Sequence, residues 1–153
     1  MLKFFRLLWV ISALVYFATL MLGYAYLPES VAIHADLEGE ADQFIEKETF
    51  FYFGVGFFIV VNFLGSILLS VLSSIPETSG FYLRSEYFKE SITSWLSSFV
   101  SIVNIFLVCA ATYIALFNNQ GDYQISQFSW LIYVAPVLLV GDFIWLVAII
   151  LKR

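Results

Sequence analysis

The sequence predicts an all-α integral membrane protein of four transmembrane helices, N-in and C-in, with an acidic external segment between helices 1 and 2. Three observations carry this class. Four apolar runs, at residues 7–24, 50–72, 94–117 and 128–151, are each long enough to cross a hydrocarbon core of roughly 30 Å as a helix. The chain is 61% hydrophobic and only 12% charged, whereas an ordinary soluble domain is ~45–50% apolar. All but one of its 7 Lys and Arg residues fall in the breaks on one side of those runs. Lipid offers backbone groups no partners, so each run must satisfy its own as a helix. The runs are apolar on every face and lack the alternation of a barrel strand. Four spans and their connections use up residues 1–153, which form a single domain.

The first run follows Lys3 and Arg6 and resembles a signal peptide. Its apolar core of about 18 residues exceeds the ~7–15 of a signal core, and Gly23-Tyr24-Ala25 is a poor cleavage pattern, so a permanent helix is expected. Lys3 and Arg6, then Arg84 and Lys89, then Lys152 and Arg153 share one side. Short loops rich in such cations stay cytoplasmic. Both termini are therefore expected in the cytoplasm.

Residues 25–49 hold the remaining cation, Lys47, among Glu29, Asp36, Glu38, Glu40, Asp42, Glu46 and Glu48. Pro28 has no amide donor and ends the first helix. Gly39 between two glutamates marks a turn, and the alternation at Val31 and Ile33 predicts a short extended piece over Ser30–Asp36 on the outer membrane surface. The pattern Leu27-Pro28-x-x-Val31-x-x-His34-x-x-x-x-Gly39, placed between two spans, resembles the signature LPxxVPxHxxxxGxxD. That signature belongs to an uncharacterised N-terminal domain of a bacterial membrane family, the SdpI-like proteins, which includes the immunity and signalling protein of the sporulation-delaying toxin system. Asp42 and Lys47 stand where the family commonly has Asp and Lys, and Ala32 replaces its second proline. Ile75-Pro76, Tyr87-Phe88 and Trp95-Leu96 are similar to the connection in four-helix members. The longer C-terminal half of the toxin-immunity members has no counterpart in these residues. The resemblance implies a bacterial inner-membrane protein without a recognised enzymatic activity, with Pro28, Val31, His34, Gly39 and Asp42 as its external motif.

His34, the single histidine, opens an alternation of acids at Asp36, Glu38, Glu40 and Asp42 that could converge on a cation in an extended chain. The spacing fits no standard calcium loop. A turn held by His34 and Pro28, a weak hydrated metal site and a partner-recognising acidic surface are the three readings. No metal is assigned.

Inside the spans, Tyr16, Asn62, Asn104 and Asp142 lie near mid-membrane and predict a polar layer. A midplane carboxylate costs at least ~2.5–3.5 kcal/mol on insertion scales, and no Lys, Arg or His lies in any span, so Asp142 is expected to face protein. A hydrogen bond to Asn62 or Asn104, a cation from another subunit and an ion path are its three readings. Ser94, Ser97, Ser98 and Ser101 recur on one face of the third helix, with Ala111 and Ala115 further along; such stripes permit close approach and place this helix at the bundle centre. Gly54, Gly65, Ser66 and Ser70 do the same for the second helix, and Pro136 is the only intramembrane proline. In the connection 73–93, with Pro76 and Gly80, the residues Phe81, Phe88, Ile92 and Trp95 approach helical spacing, which predicts a short amphipathic interfacial helix. Residues 118–127 read as a polar turn around Gly121, and Cys109 as an apolar packing residue.

There is no nucleophile paired with a base, no phosphate loop and no second histidine. The expectation is a non-enzyme without catalytic residues or cofactors. A net charge of −5 without a basic patch argues against nucleic acid. The expected partners are membrane lipid and a protein, either an external peptide or the subunits of a larger complex.

Overall fold

The structure, a computed structural model, describes residues 1–36, 40–76, 86–119 and 125–152. The calls at Glu38, Gly39, Gly80, Phe81, Arg84, Gly121 and Arg153 lie outside the described residues. Four helices, α1 (Leu2–Tyr26), α2 (Lys47–Ser74), α3 (Glu86–Asn118) and α4 (Leu131–Leu151), are joined by two strands, β1 (Ser30–Ala35) and β2 (Ala41–Glu46), and a 3-10 turn at Ile125–Phe128. All four helices are long and apolar enough to span a membrane. Their outward residues are what a bilayer requires and water penalises: Phe53, Phe57 and Phe63 on α2, and Val140 and Ile144 on α4, are all exposed.

The helix ends follow local chemistry. At the end of α1, Leu27 is extended and its N–H donates to the Gly23 carbonyl at 2.8 Å; Pro28 then bars any further turn. Ile75, the residue before Pro76, is extended for the steric reason that governs every pre-proline position, and α2 stops there. Residues 86–93 do not form a separate interfacial helix; they are the first turns of α3 itself. At about 50 Å, α3 is longer than the hydrocarbon core. It therefore stands clear of the apolar layer. Near its start the N-terminal ammonium meets Glu90 at 3.1 Å, and the Lys152 ammonium lies 5.5 Å from the Tyr87 ring centroid. Both chain ends thus lie at one end of the bundle, with the strands at the other.

The centre is α3, which packs against α1, α2 and α4, while α1 and α2 touch each other little. Ser94, Ser97 and Ser101 are fully buried along it, as the serine stripe predicts. The Ser97 and Ser101 hydroxyls donate back to the Thr93 and Ser97 carbonyls at 2.9 and 2.7 Å, so they present a small, polar-satisfied surface to neighbouring helices. α2 approaches through its two expected glycines. A methyl on Gly65 would sit 2.7 Å from Val100 Cγ2 and 3.2 Å from the Trp9 ring, and one on Gly54 would sit 2.8 Å from Leu20 Cδ1.

The acidic segment departs from an all-helical fold. β1 and β2 pair antiparallel, with Val31 opposite Ile45, Ala32 opposite Phe44 and His34 opposite Gln43, and with register shifts on either side of His34. Alternation marks the first strand; the second, carrying Asp42, Gln43 and Glu46, has no comparable pattern.

Candidate functional site

The hairpin is built to stay in one place. Leu27, Val31 and Ala32 are buried. The side chain of Asn118, the last residue of α3, behaves as a strand partner: its Oδ1 accepts from the Ala32 N–H at 2.7 Å, and its Nδ2 donates to the Ala32 carbonyl at 2.9 Å. Asn118 therefore occupies the outer edge of β1. At the hairpin base, the Lys47 N–H donates to the Glu29 carbonyl at 3.0 Å, while the ammonium lies 4.9 Å from the Tyr24 ring centroid and 3.8 Å from Glu29 Oε1. A mostly buried lysine thus rests on an aromatic face, a contact of about 0.5–2 kcal/mol.

The far end closes on itself. The Asp36 N–H donates to the Glu40 carbonyl and the Glu40 N–H to Asp36 Oδ1, both at 2.9 Å. His34 Nδ1 and Asp42 Oδ1 are 2.6 Å apart, both exposed. The described acids of the alternation, Asp36, Glu40 and Asp42, are thus engaged separately. Among the described residues no group of three or more His, Cys, Asp and Glu is arranged to hold a metal. Turned away from the bundle are Asp42, Gln43, Phe44 and Glu46 of β2, with Phe44 55% exposed. Among the described residues the sheet has two strands, so the second edge of β2 has no partner strand.

Within the spans the four polar residues separate. Asn62 and Asn104 exchange hydrogen bonds at 3.0 and 3.2 Å, Trp9 Nε1 donates to Asn62 Oδ1 at 2.6 Å, and Asn104 Nδ2 donates to Ser12 Oγ at 3.3 Å. The knot ties α1, α2 and α3 together. Tyr16 sits one turn further along α1, where its hydroxyl donates to the Gly54 carbonyl at 3.1 Å. Asp142 joins neither group. It is buried against α3, Trp95 Nε1 donates to its backbone carbonyl at 3.1 Å, and its carboxyl lies beside the Ser98 hydroxyl and the Trp95 indole without either reaching full hydrogen-bond geometry. Ser91 and Ser94 of α3 also bury hydroxyls without partners. The hydrogen bond from Asp142 to Asn62 or Asn104 is absent because Asp142 lies level with Trp95, about 13 Å of helix from Asn104.

The residue that sequence reasoning missed is Asn118. As the first residue of a polar loop it shows no period, and its signal is only that an Asn ends an apolar run. Trp9 and Ser12, absorbed in the first apolar run, were equally silent.

Residues 7–60, which hold most of α1, the hairpin and the first half of α2, match a family described as Domain of unknown function (DUF1648). No curated protein and no solved structure matches the chain. The external motif residues Pro28, Val31, His34 and Asp42 all lie inside the matched span.

Proposed function

We propose that this chain is a small non-catalytic protein of the bacterial inner membrane that binds a partner through its hairpin, in the manner of SdpI-like sensor or immunity modules. Both termini face the cytoplasm, where the Lys and Arg bias directs them, and the hairpin faces out. The observation that carries this reading is the unpaired edge of β2 beside the exposed Phe44, on a hairpin held by Asn118 and Lys47. An extended external peptide adds to such an edge as a third strand, taking affinity from backbone hydrogen bonds and selectivity from alternate side chains. Asp42 and Glu46 favour a cationic peptide. His34 and Asp42 fix the local geometry rather than perform chemistry.

The test places a photo-crosslinking amino acid at Gln43 of the full chain in native membranes. An adduct with an external peptide that disappears in Phe44→Asp supports the reading. Adducts only with lipid or with cytoplasmic proteins overturn it.

A second reading, an accessory subunit of a larger membrane complex, is favoured by Asp142. Its carboxyl is buried at the α3 contact, and α4 packs chiefly on that one neighbour, so a shift of α4 would open the carboxyl to a cation supplied by another subunit. Stable co-migration with larger subunits after mild detergent extraction, lost in Asp142→Leu, selects this reading; a free monomer or homodimer selects the first.

A further inference from the structure

α1 and α2 meet at the hairpin end and part towards the chain termini. At the hairpin end, Tyr16 bonds Gly54 and stacks against Phe58 with ring centroids 5.2 Å apart. Below that contact the two helices leave a groove of about 710 Å³, open sideways to the bilayer. Its walls are apolar, with Val10, Leu14, Phe17 and Leu69 among them. Its floor is crossed by Trp9 and Asn62, whose polar atoms are already bonded to each other. At the open end stand Arg6, Ser70 and Ser73. Among the described residues no carboxylate lines the groove and Arg6 forms no ion pair.

Length and charge select the occupant. From Arg6 to Phe17 the groove follows about 16 Å of helix, close to half of a roughly 30 Å hydrocarbon core. That is the depth of one leaflet. A transmembrane helix from a second copy would need the full thickness, and the Tyr16–Gly54 contact closes the upper half. A cation at the rim, with serine hydroxyls beside it and no acid opposing it among the described residues, matches an anionic headgroup, as basic pockets between membrane helices generally do.

We propose that this groove holds one acyl chain of an anionic phospholipid from the leaflet where α1 begins, with the Arg6 guanidinium and the Ser73 hydroxyl taking its phosphodiester. The guanidinium offers paired donors to phosphate oxygens, and its methylene stem lies along the groove wall while the charge stays at the interface. The lipid fills space that the three-helix contact leaves empty and fastens α1 to α2 where they touch least.

The full chain is reconstituted in nanodiscs of equal phosphatidylglycerol and phosphatidylcholine, released, and its retained lipid counted by native mass spectrometry. Phosphatidylglycerol is retained in preference, and Arg6→Gln lowers the preference about fivefold, the loss of one interfacial cation of about 1 kcal/mol, while Arg6→Lys restores most of it. Lys3→Gln, one turn away and outside the groove, leaves the ratio near wild type. Ala13→Trp, which fills the groove at mid-depth, lowers retention of both lipids. Equal retention of the two lipids, an unchanged ratio in Arg6→Gln, an equal fall in Lys3→Gln, or lipid-free dimers in place of lipid-bearing monomers would each overturn the proposal. Because Arg6→Gln alters a surface side chain, its outcome stands even if Ala13→Trp fails to assemble.

Discussion

The two sides of α3 treat buried polarity in opposite ways. Towards α1, α2 and the hairpin, its polar side chains are partnered across helices: Asn104 with Asn62 and Ser12, and Asn118 with both backbone groups of Ala32. Where α4 packs on it the Asp142 carboxyl is just as deep, yet it reaches full hydrogen-bond geometry with neither Ser98 nor Trp95, and Ser91 and Ser94 of α3 also bury hydroxyls without partners. In hydrocarbon an unmatched polar group cannot turn to water instead, so the first side holds the fold together and the second holds a cost that the fold does not recover. The first side specifies the structure.

The sharpest way to break this contrast is on the partnered side. Gly65→Val forces a side chain into Val100 and Trp9 and should cost roughly 1–3 kcal/mol in reversible unfolding from mixed micelles; no loss would mean that α2 does not seat as closely as the glycine implies. Asn104→Leu removes its bonds to Asn62 and Ser12, which keep their partners at Trp9 and Phe58, and should cost about 1 kcal/mol in the same assay. Asn118→Ala acts locally: global stability changes little, but amide exchange across β1 and β2 should speed about fivefold, the loss of roughly 1 kcal/mol of docking. Ala32→Pro should do part of the same, since it removes the donated N–H and leaves the carbonyl contact. The smallest effect belongs to the other side. Asp142→Leu should leave the isolated chain as stable as before or slightly more so, because a leucine has no unmet hydrogen bond and Trp95 keeps its bond to the backbone carbonyl of residue 142. A loss above about 1 kcal/mol there would show a partner for the carboxyl and erase the contrast between the two sides.

Much of the fold was legible from elementary patterns. Run length marks the four spans, because only a helix closes its own hydrogen bonds in lipid. Ser94, Ser97, Ser98 and Ser101 mark α3 as central, because small residues admit close neighbours. The glycines that seat α2 were visible for the same reason, and Asn62 and Asn104 were visible as polar residues in apolar surroundings. Long-range choices were not legible. A mid-span Asn needs company, but nothing local says that its partners are Trp9 and Ser12 rather than Asp142; that depends on the relative height of antiparallel helices. The pairing of β2 depends on β1 and on Asn118, not on its own pattern. The connection 73–93 read as a short amphipathic helix from the spacing of Phe81, Phe88, Ile92 and Trp95, yet from residue 86 the backbone continues into α3 without a break and uses Glu90 to hold the N-terminus.

The near-exclusive attachment of α4 to α3 bears on how the chain is made. Because α1, α2 and α3 complete their mutual hydrogen bonds without a residue beyond Asn118, the first three segments leaving the ribosome already form a finished unit. The final segment arrives afterwards and docks sideways onto a surface waiting for it, meeting the start of α1 where Phe5 lies against Trp145, with ring centroids 5.0 Å apart. Translation order and packing order therefore coincide, and a ribosome stalled before residue 131 would hold a three-helix intermediate whose face at Trp95, Ser98 and Phe99 is the landing strip for the last span.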